Sequence, residues 1–176
     1  MNQHPYATLT PDAVLDALEA AGLIPDGRLL ALNSYENRVY QVGIDEAPPL
    51  IAKFYRPERW SDAAILEEHA FTQELADAEI PAVPPLAFAD GSTLFHHGSF
   101  RLAVFPRRGG RAPELGDAAT REWMGRFLGR IHAIGRLKRY QARPTLDLQS
   151  FGTEPRDWLI EHEAIPCELF PAWKGT

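Results

Sequence analysis

The sequence predicts an α+β fold: an antiparallel sheet of about five strands with one long helix inserted into it, followed by further helices. Three observations lead there. Alternating apolar residues at Tyr40, Val42 and Ile44 and at Phe100, Leu102 and Val104 mark half-buried strands. Helical spacing replaces alternation after Ser61, and again after Asp117, where Met124, Phe127, Leu128, Ile131 and Ile134 share a stripe. The strands crowd before Pro106 and the helices follow it, so the chain divides into residues 1–105 and 106–176 with a boundary at Pro106 to Gly110.

In order along the chain, Thr10-Pro11-Asp12 opens a first helix. Thr caps free N–H groups, and Pro at the first helical position loses no hydrogen bond. Val14, Leu15 and Leu18 give that helix its apolar stripe and Gly22 ends it. Strands are expected at Arg28 to Leu32, Arg38 to Ile44, Leu50 to Tyr55, Ser92 to Phe95 and Phe100 to Phe105. Asp45 to Pro49, Asp90-Gly91 and His97-Gly98 supply the turns. Between the third and fourth strands a helix runs from Asp62 to about Ala78, capped by Ser61. The second long helix spans about Asp117 to Arg139, and its Gly125 and Gly129 suit a core helix approached closely by another backbone. Glu154 to Glu163 reads as a short helix and Pro171 to Thr176 as a tail. The aromatic residues of this last stretch, Phe151, Trp158, Phe170 and Trp173, call for a covering surface.

Composition excludes several classes. Apolar residues make up 45% of the 176, enough for a core and too many for a disordered chain. A net charge of −6, with Arg107-Arg108 and Arg111 as the densest basic run, argues against nucleic acid as a partner. The single Cys167 cannot form an internal disulfide, which favours a reducing, cytoplasmic setting. No basic start followed by an apolar stretch begins the chain. Its apolar runs fall short of the ~20 residues of a membrane span, so no membrane partner is expected. No His/Cys/Asp/Glu set has metal-site spacing. His132 beside Leu128 reads as a satisfied core histidine, and oligomeric state is left open.

The residues that carry chemistry lie in a fixed order. Lys53 sits among Leu50, Ile51, Ala52, Phe54 and Tyr55, and an ammonium buried in such a strand needs an anionic partner; taken alone it reads first as a lysine at a sheet edge facing water, and Glu68 shifts that balance. On the next helix Glu68 shares a face with Ala64, Ile65, Phe71, Thr72 and Leu75, so it is the inward carboxylate, with Glu67 as the substitute and His69 abutting it. The turn Asn33-Ser34-Tyr35-Glu36-Asn37 offers Ser34 and backbone N–H groups to phosphate oxygens, although it contains no glycine-rich loop and also reads as a plain hairpin turn. Val104-Phe105-Pro106-Arg107, itself a common strand-to-turn pattern, would in the context of these segments be a hinge whose backbone groups meet the edge of an adenine, with Val104 expected to face the rear of the pocket. A strand lysine, a helix carboxylate and a strand leaving through Gly109-Gly110 together make a nucleotide-holding half.

These stretches resemble the bacterial stress response kinase A family, in the aminoglycoside-phosphotransferase-like branch of the protein kinase fold. The resemblance rests on the segments Leu32 to Gln41, Lys53 to Trp60, Ile65 to His69, Ala103 to Pro106 with Gly109-Gly110-Arg111, and Leu128-Gly129-Arg130 with His132. It implies a kinase-like N-terminal lobe over residues 1–105. The hinge and the first helices of a C-terminal lobe would follow over residues 106–176. It also implies an ATP-dependent, cytoplasmic kinase that phosphorylates Ser or Thr of proteins, with Mg2+ alongside ATP in the complete protein. Site roles follow from it residue by residue: Ser34 at the phosphates, Lys53 on the α/β-phosphates, Glu68 holding that lysine, and Val104, Phe105 and Arg107 at the hinge. The family's later His-Gly-Asp-x-His-x-x-Asn segment has no counterpart, and no Asn follows Asn37. The chain is therefore expected to be the N-terminal half of such a kinase and inactive in phosphotransfer alone. A small-molecule hydroxyl kinase and a non-catalytic nucleotide- or partner-binding module are the rival readings.

Overall fold

A computed structural model describes residues 4–174. The elements run α1 (Pro11–Ala20), β1 (Pro25–Leu32), β2 (Arg38–Ile44), β3 (Ala47–Tyr55), α2 (Asp62–Asp77), β4 (Phe95–His97), β5 (Phe100–Pro106) and α3 (Ala118–Gly135). A π-helical turn (Gln149–Thr153), α4 (Glu154–Glu161) and α5 (Phe170–Lys174) complete them. One compact unit ends at Ala142 and a second begins at Arg143. The first carries all five strands in the order β1-β2-β3-β5-β4, every pairing antiparallel, so the expected α+β plan holds.

Local chemistry accounts for the helix ends. Thr10 Oγ1 accepts the Ala13 N–H at 3.2 Å, Ser61 Oγ accepts the Ala64 N–H at 3.2 Å, and Asp117 Oδ1 accepts the Thr120 N–H at 2.8 Å. After α1 the chain reverses through Gly22 at φ +85°, with the Leu23 N–H returning to the Leu18 carbonyl. The same reversal closes α2, where the Ile80 N–H returns to Leu75. Here, however, Glu79 occupies the left-handed position at φ +57°.

The strands differ from the sequence reading in ways that have causes. Strand β3 begins at Ala47, so Pro48 and Pro49 lie within it. Its partner β5 ends opposite Leu50, which leaves residues 47–49 paired on one side only, where a missing N–H is tolerated. Strand β4 is Phe95–His97 and not Ser92 to Phe95. Ser92 is spent on turn bonds, its N–H to Asp90 Oδ1 and its hydroxyl to the Leu94 carbonyl, and the two-residue Gly98-Ser99 hairpin sets the register beyond it.

Each sheet face carries one helix. Val42, Ala52, Phe54, Phe100, Leu102 and Val104 form a core with Val14, Ala17 and Leu18 of α1. On the other face Tyr55 and Ala103 pack with Ile65 of α2 and with Leu94, flanked by Trp60 and Phe105. Helix α3 departs from expectation: none of its residues is buried, and His132 is exposed. A Cβ at Gly125 or Gly129 would meet nothing within 4 Å. The helix meets α2 along one edge only, where Gly135 lies against the Phe71 ring and Arg130 donates to the carbonyls of Ala78 and Glu79. In the second unit Phe151 and Trp158 are exposed, while Phe170 and Trp173 are half-buried. Among the described residues no helix is long and apolar enough to cross a membrane.

Candidate functional site

Strand parity builds the site. In an antiparallel sheet directly opposed residues point to the same face. Val39 stands opposite Lys53, Gln41 opposite Ile51, Ala103 opposite Lys53 and Phe105 opposite Ile51. These residues share the face that α2 partly covers. Val39, Ile51 and Phe105 are half-buried there, an apolar strip left partly open beside the lysine.

The Lys53 ammonium lies 2.8 Å from Glu68 Oε1 and 4.6 Å from the centre of the Tyr55 ring. The carboxylate and the aromatic face hold it from two directions. The Lys53 side chain retains 21% of its exposure and that of Glu68 35%, so the pair borders solvent while leaning on an apolar surface. Glu67, the alternative partner, turns elsewhere: its carboxylate accepts the N–H groups of Gln141 at 2.5 Å and Ala142 at 2.9 Å, tying down the chain after α3.

The β1–β2 turn is tied to the segment after β3. Glu36 accepts the Trp60 indole N–H at 2.9 Å and the Arg59 Nε–H at 3.2 Å, and Asn37 Oδ1 accepts the Arg56 N–H at 3.2 Å. Burial alone would raise the Glu36 carboxyl, but the bonds from Trp60 and Arg59 outweigh it and hold the group below its ordinary value. Tyr6 donates to the Glu36 carbonyl at 3.0 Å from the opposite side. Ser34 donates its hydroxyl to the Asn37 carbonyl at 2.7 Å, so that proton serves the turn itself.

The hinge residues separate by face. Phe105 stands on the Lys53 face, edge-on to the His69 ring at 6.3 Å. Arg107 reaches back across the sheet, its Nε donating to Gln41 Oε1 at 2.8 Å. Val104 does not face the pocket: it opposes Ala52, is 2% exposed and packs into the α1-side core. One residue of offset in a strand reverses the face. Its carbonyl accepts the Leu86 N–H at 2.7 Å. The sequence reading thus assigned Val104 to the wrong side and passed over Val39 and Ile51. Their parity with Lys53 becomes visible only once the strand register is known.

Behind the pair lies a polar group that sequence reasoning left without a role. The Tyr55 hydroxyl is 2.6 Å from His69 Nε2, and His69 Nδ1 is 2.8 Å from Thr93 Oγ1. Among the described residues no cluster of three His, Cys, Asp or Glu side chains is arranged to hold a metal ion.

The profile of the phosphotransferase enzyme family matches residues 28–174. Stress response kinase A of Shigella flexneri is 44% identical over 168 residues, covering 96% of this chain and 51% of that protein. Serine/threonine protein kinase RdoA of Salmonella typhimurium is 42% identical over 165 residues, covering 94% and 50%. The chain spans about half the length of the curated relatives it matches. Among solved structures, an amicoumacin kinase in complex with AMP-PNP and Ca2+ superposes with a TM-score of 0.58. The match covers 76% of this chain and 41% of that one, at 23% identity, a likeness of fold.

Proposed function

Since the chain belongs to the phosphotransferase enzyme family, we propose that it forms the ATP-binding part of a bacterial kinase of the stress response kinase A type. The acceptor in this reading is a Ser or Thr hydroxyl of a protein, and the setting is the cytoplasm. The observation that carries it is the Lys53 ammonium, held at 2.8 Å from Glu68 beside the half-open strip of Val39, Ile51 and Phe105. Such a surface fits a nucleotide: an apolar area for a flat base lies next to a fixed positive charge for phosphate.

In the proposed mechanism Lys53 binds phosphate oxygens, and Glu68 and the Tyr55 ring keep its ammonium from swinging away. Catalysis by this fold is mainly positioning and charge stabilisation, so a lysine fixed before the nucleotide arrives lowers the cost of ordering it. The tethered turn Asn33 to Asn37 presents backbone N–H groups toward the phosphates, with Ser34 fixing the shape of the turn. Phe105 and Arg107 flank the adenine edge, and residues 106–110 act as the hinge between the lobes of residues 1–105 and 106–176. ATP would enter with Mg2+, which neutralises phosphate charge; no residue of this chain is assigned to the metal. The name of one relative, serine/threonine protein kinase RdoA, supports a protein acceptor, and the identity of 42% to it is the reason for extending it here.

Transfer from γ-labelled ATP by the complete kinase to a panel of proteins and of small hydroxyl compounds tests the reading. Label in phosphoserine or phosphothreonine is expected, and it should vanish in Lys53→Met. Label only in a small hydroxyl compound would replace the protein acceptor. The 176-residue chain alone is expected to transfer none.

A further inference from the structure

His69 is the one buried polar residue among those described, at 4% exposure. Burying an imidazole costs stability unless its nitrogens are bonded, and here both are within hydrogen-bond distance of a partner hydroxyl, Nε2 of Tyr55 and Nδ1 of Thr93. A neutral ring satisfies both contacts in either tautomer, one nitrogen donating and the other accepting. The three residues come from α2, from the end of β3 and from the segment before β4, so the imidazole ties these elements at one point. The tie lies one residue from Glu68, and Tyr55 is two residues from Lys53 on the same sheet face. The Tyr55 ring therefore does two things at once: its face supports the Lys53 ammonium at 4.6 Å, and its hydroxyl is anchored at 2.6 Å. Phe105 stands edge-on to the imidazole at 6.3 Å.

We propose that His69 is a positioning residue for the phosphate-binding lysine: through the Tyr55 hydroxyl it fixes the ring under Lys53 and the rotation of α2 that brings Glu68 to it. The proposal rests on the reading of Lys53 as the phosphate-binding group. The geometric part of it, His69 to Tyr55 to Lys53, holds or fails separately. Side-chain networks that are fully satisfied in a low-dielectric interior rigidify what they touch, and a shift of about 1 Å in a binding group costs up to roughly 100-fold in rate. A lysine set by Glu68 alone would keep its charge partner but lose one of its two directions of support.

The test uses Tyr55→Phe, which keeps the aromatic face and removes one oxygen, and His69→Phe, which keeps a ring and removes both nitrogens. The readout is the NMR resonance of the Lys53 Hε and Nζ groups, displaced in the wild type by the ring current of Tyr55. Both variants are expected to move it toward the position of an unrestrained lysine. The double variant should move it no further than the single ones, because both cut one connection. Thr93→Val, removing only the outer partner, should move it in the same direction by less. Val14→Ala serves as control: it opens a cavity on the opposite face, lowers the melting temperature and should leave the Lys53 resonance in place. Introduced into the complete kinase, the Tyr55 and His69 substitutions should raise KM for ATP by roughly tenfold with a smaller change in kcat. An unmoved Lys53 resonance in folded Tyr55→Phe would overturn the proposal. A moved resonance in a protein that binds no ATP would uphold the positioning and remove the nucleotide reading instead. Should His69→Phe not fold, Tyr55→Phe carries the test by itself.

Discussion

Val104→Ala against Ile51→Ala separates the two faces of the sheet. Val104 is 2% exposed among the α1-side residues, and its truncation removes two methyl groups from a packed core. At about 0.8 kcal/mol for each buried carbon plus a cavity term of ~1 kcal/mol, the cost is roughly 2–3 kcal/mol. For a unit of this size about 3 °C is lost per kcal/mol, so the melting temperature should fall by roughly 6–9 °C. Nucleotide affinity, measured by calorimetric titration at 15 °C where the variant remains folded, should stay within about twofold of the wild type. Ile51 is half-buried on the Lys53 face, opposite Gln41 and Phe105. Its truncation should cost only about 1 kcal/mol of stability, yet weaken nucleotide binding by roughly tenfold, because it removes apolar surface offered to the base. If Val104→Ala weakens the nucleotide as much as Ile51→Ala does, the assignment of faces is wrong.

The remaining predictions concern the scaffold that fixes the site. Glu79→Gly should stabilise the protein by about 1 kcal/mol in chemical denaturation, because the residue ending α2 lies at φ +57°, where a Cβ is strained and glycine is not. Burial holds the Tyr6 phenol at a pKa raised from 10.0 to about 12, against the pull of Arg38, while its hydroxyl bonds the Glu36 and Phe54 carbonyls. A raised pKa means that this stabilisation is complete below pH 10 and is lost as pH rises through 12; the stability gap between wild type and Tyr6→Phe should narrow across that window. In Glu68→Gln the Lys53 ammonium loses its charge partner at a half-open site, so denaturation should show a loss of about 1 kcal/mol, between that of an exposed and a buried pair.

Features set by neighbours in the chain were readable from the sequence. Thr10 and Ser61 cap their helices, Gly22 takes the left-handed turn, and Lys53 meets Glu68, because cap chemistry and helical spacing are local rules and a strand lysine must find its charge close by. Features set by register were not. Whether Val104 or Phe105 faces Lys53 depends on which residue of β5 opposes which of β3, and alternation within one strand says only that neighbours differ. The strand Phe95–His97 was misplaced because Ser92 to Phe95 has strand-like composition, while the hydroxyl of Ser92 binds its own turn. Helix α3 has a core-like stripe that is not buried among the described residues, since burial needs an opposing surface as well as a stripe. His69 looked idle as a helix histidine next to a carboxylate, and its role emerges only when folding brings in Tyr55 and Thr93 from elsewhere in the chain.

Titration of the protein with AMP-PNP and Mg2+, wild type against Lys53→Met with melting temperatures recorded in parallel, decides whether Lys53 holds the phosphates of a bound nucleotide. Saturable binding by the wild type is expected, with a loss of roughly tenfold or more in a variant that melts within a few degrees of it. Equal affinity in the two proteins, or no binding by the wild type at millimolar nucleotide, would contradict it.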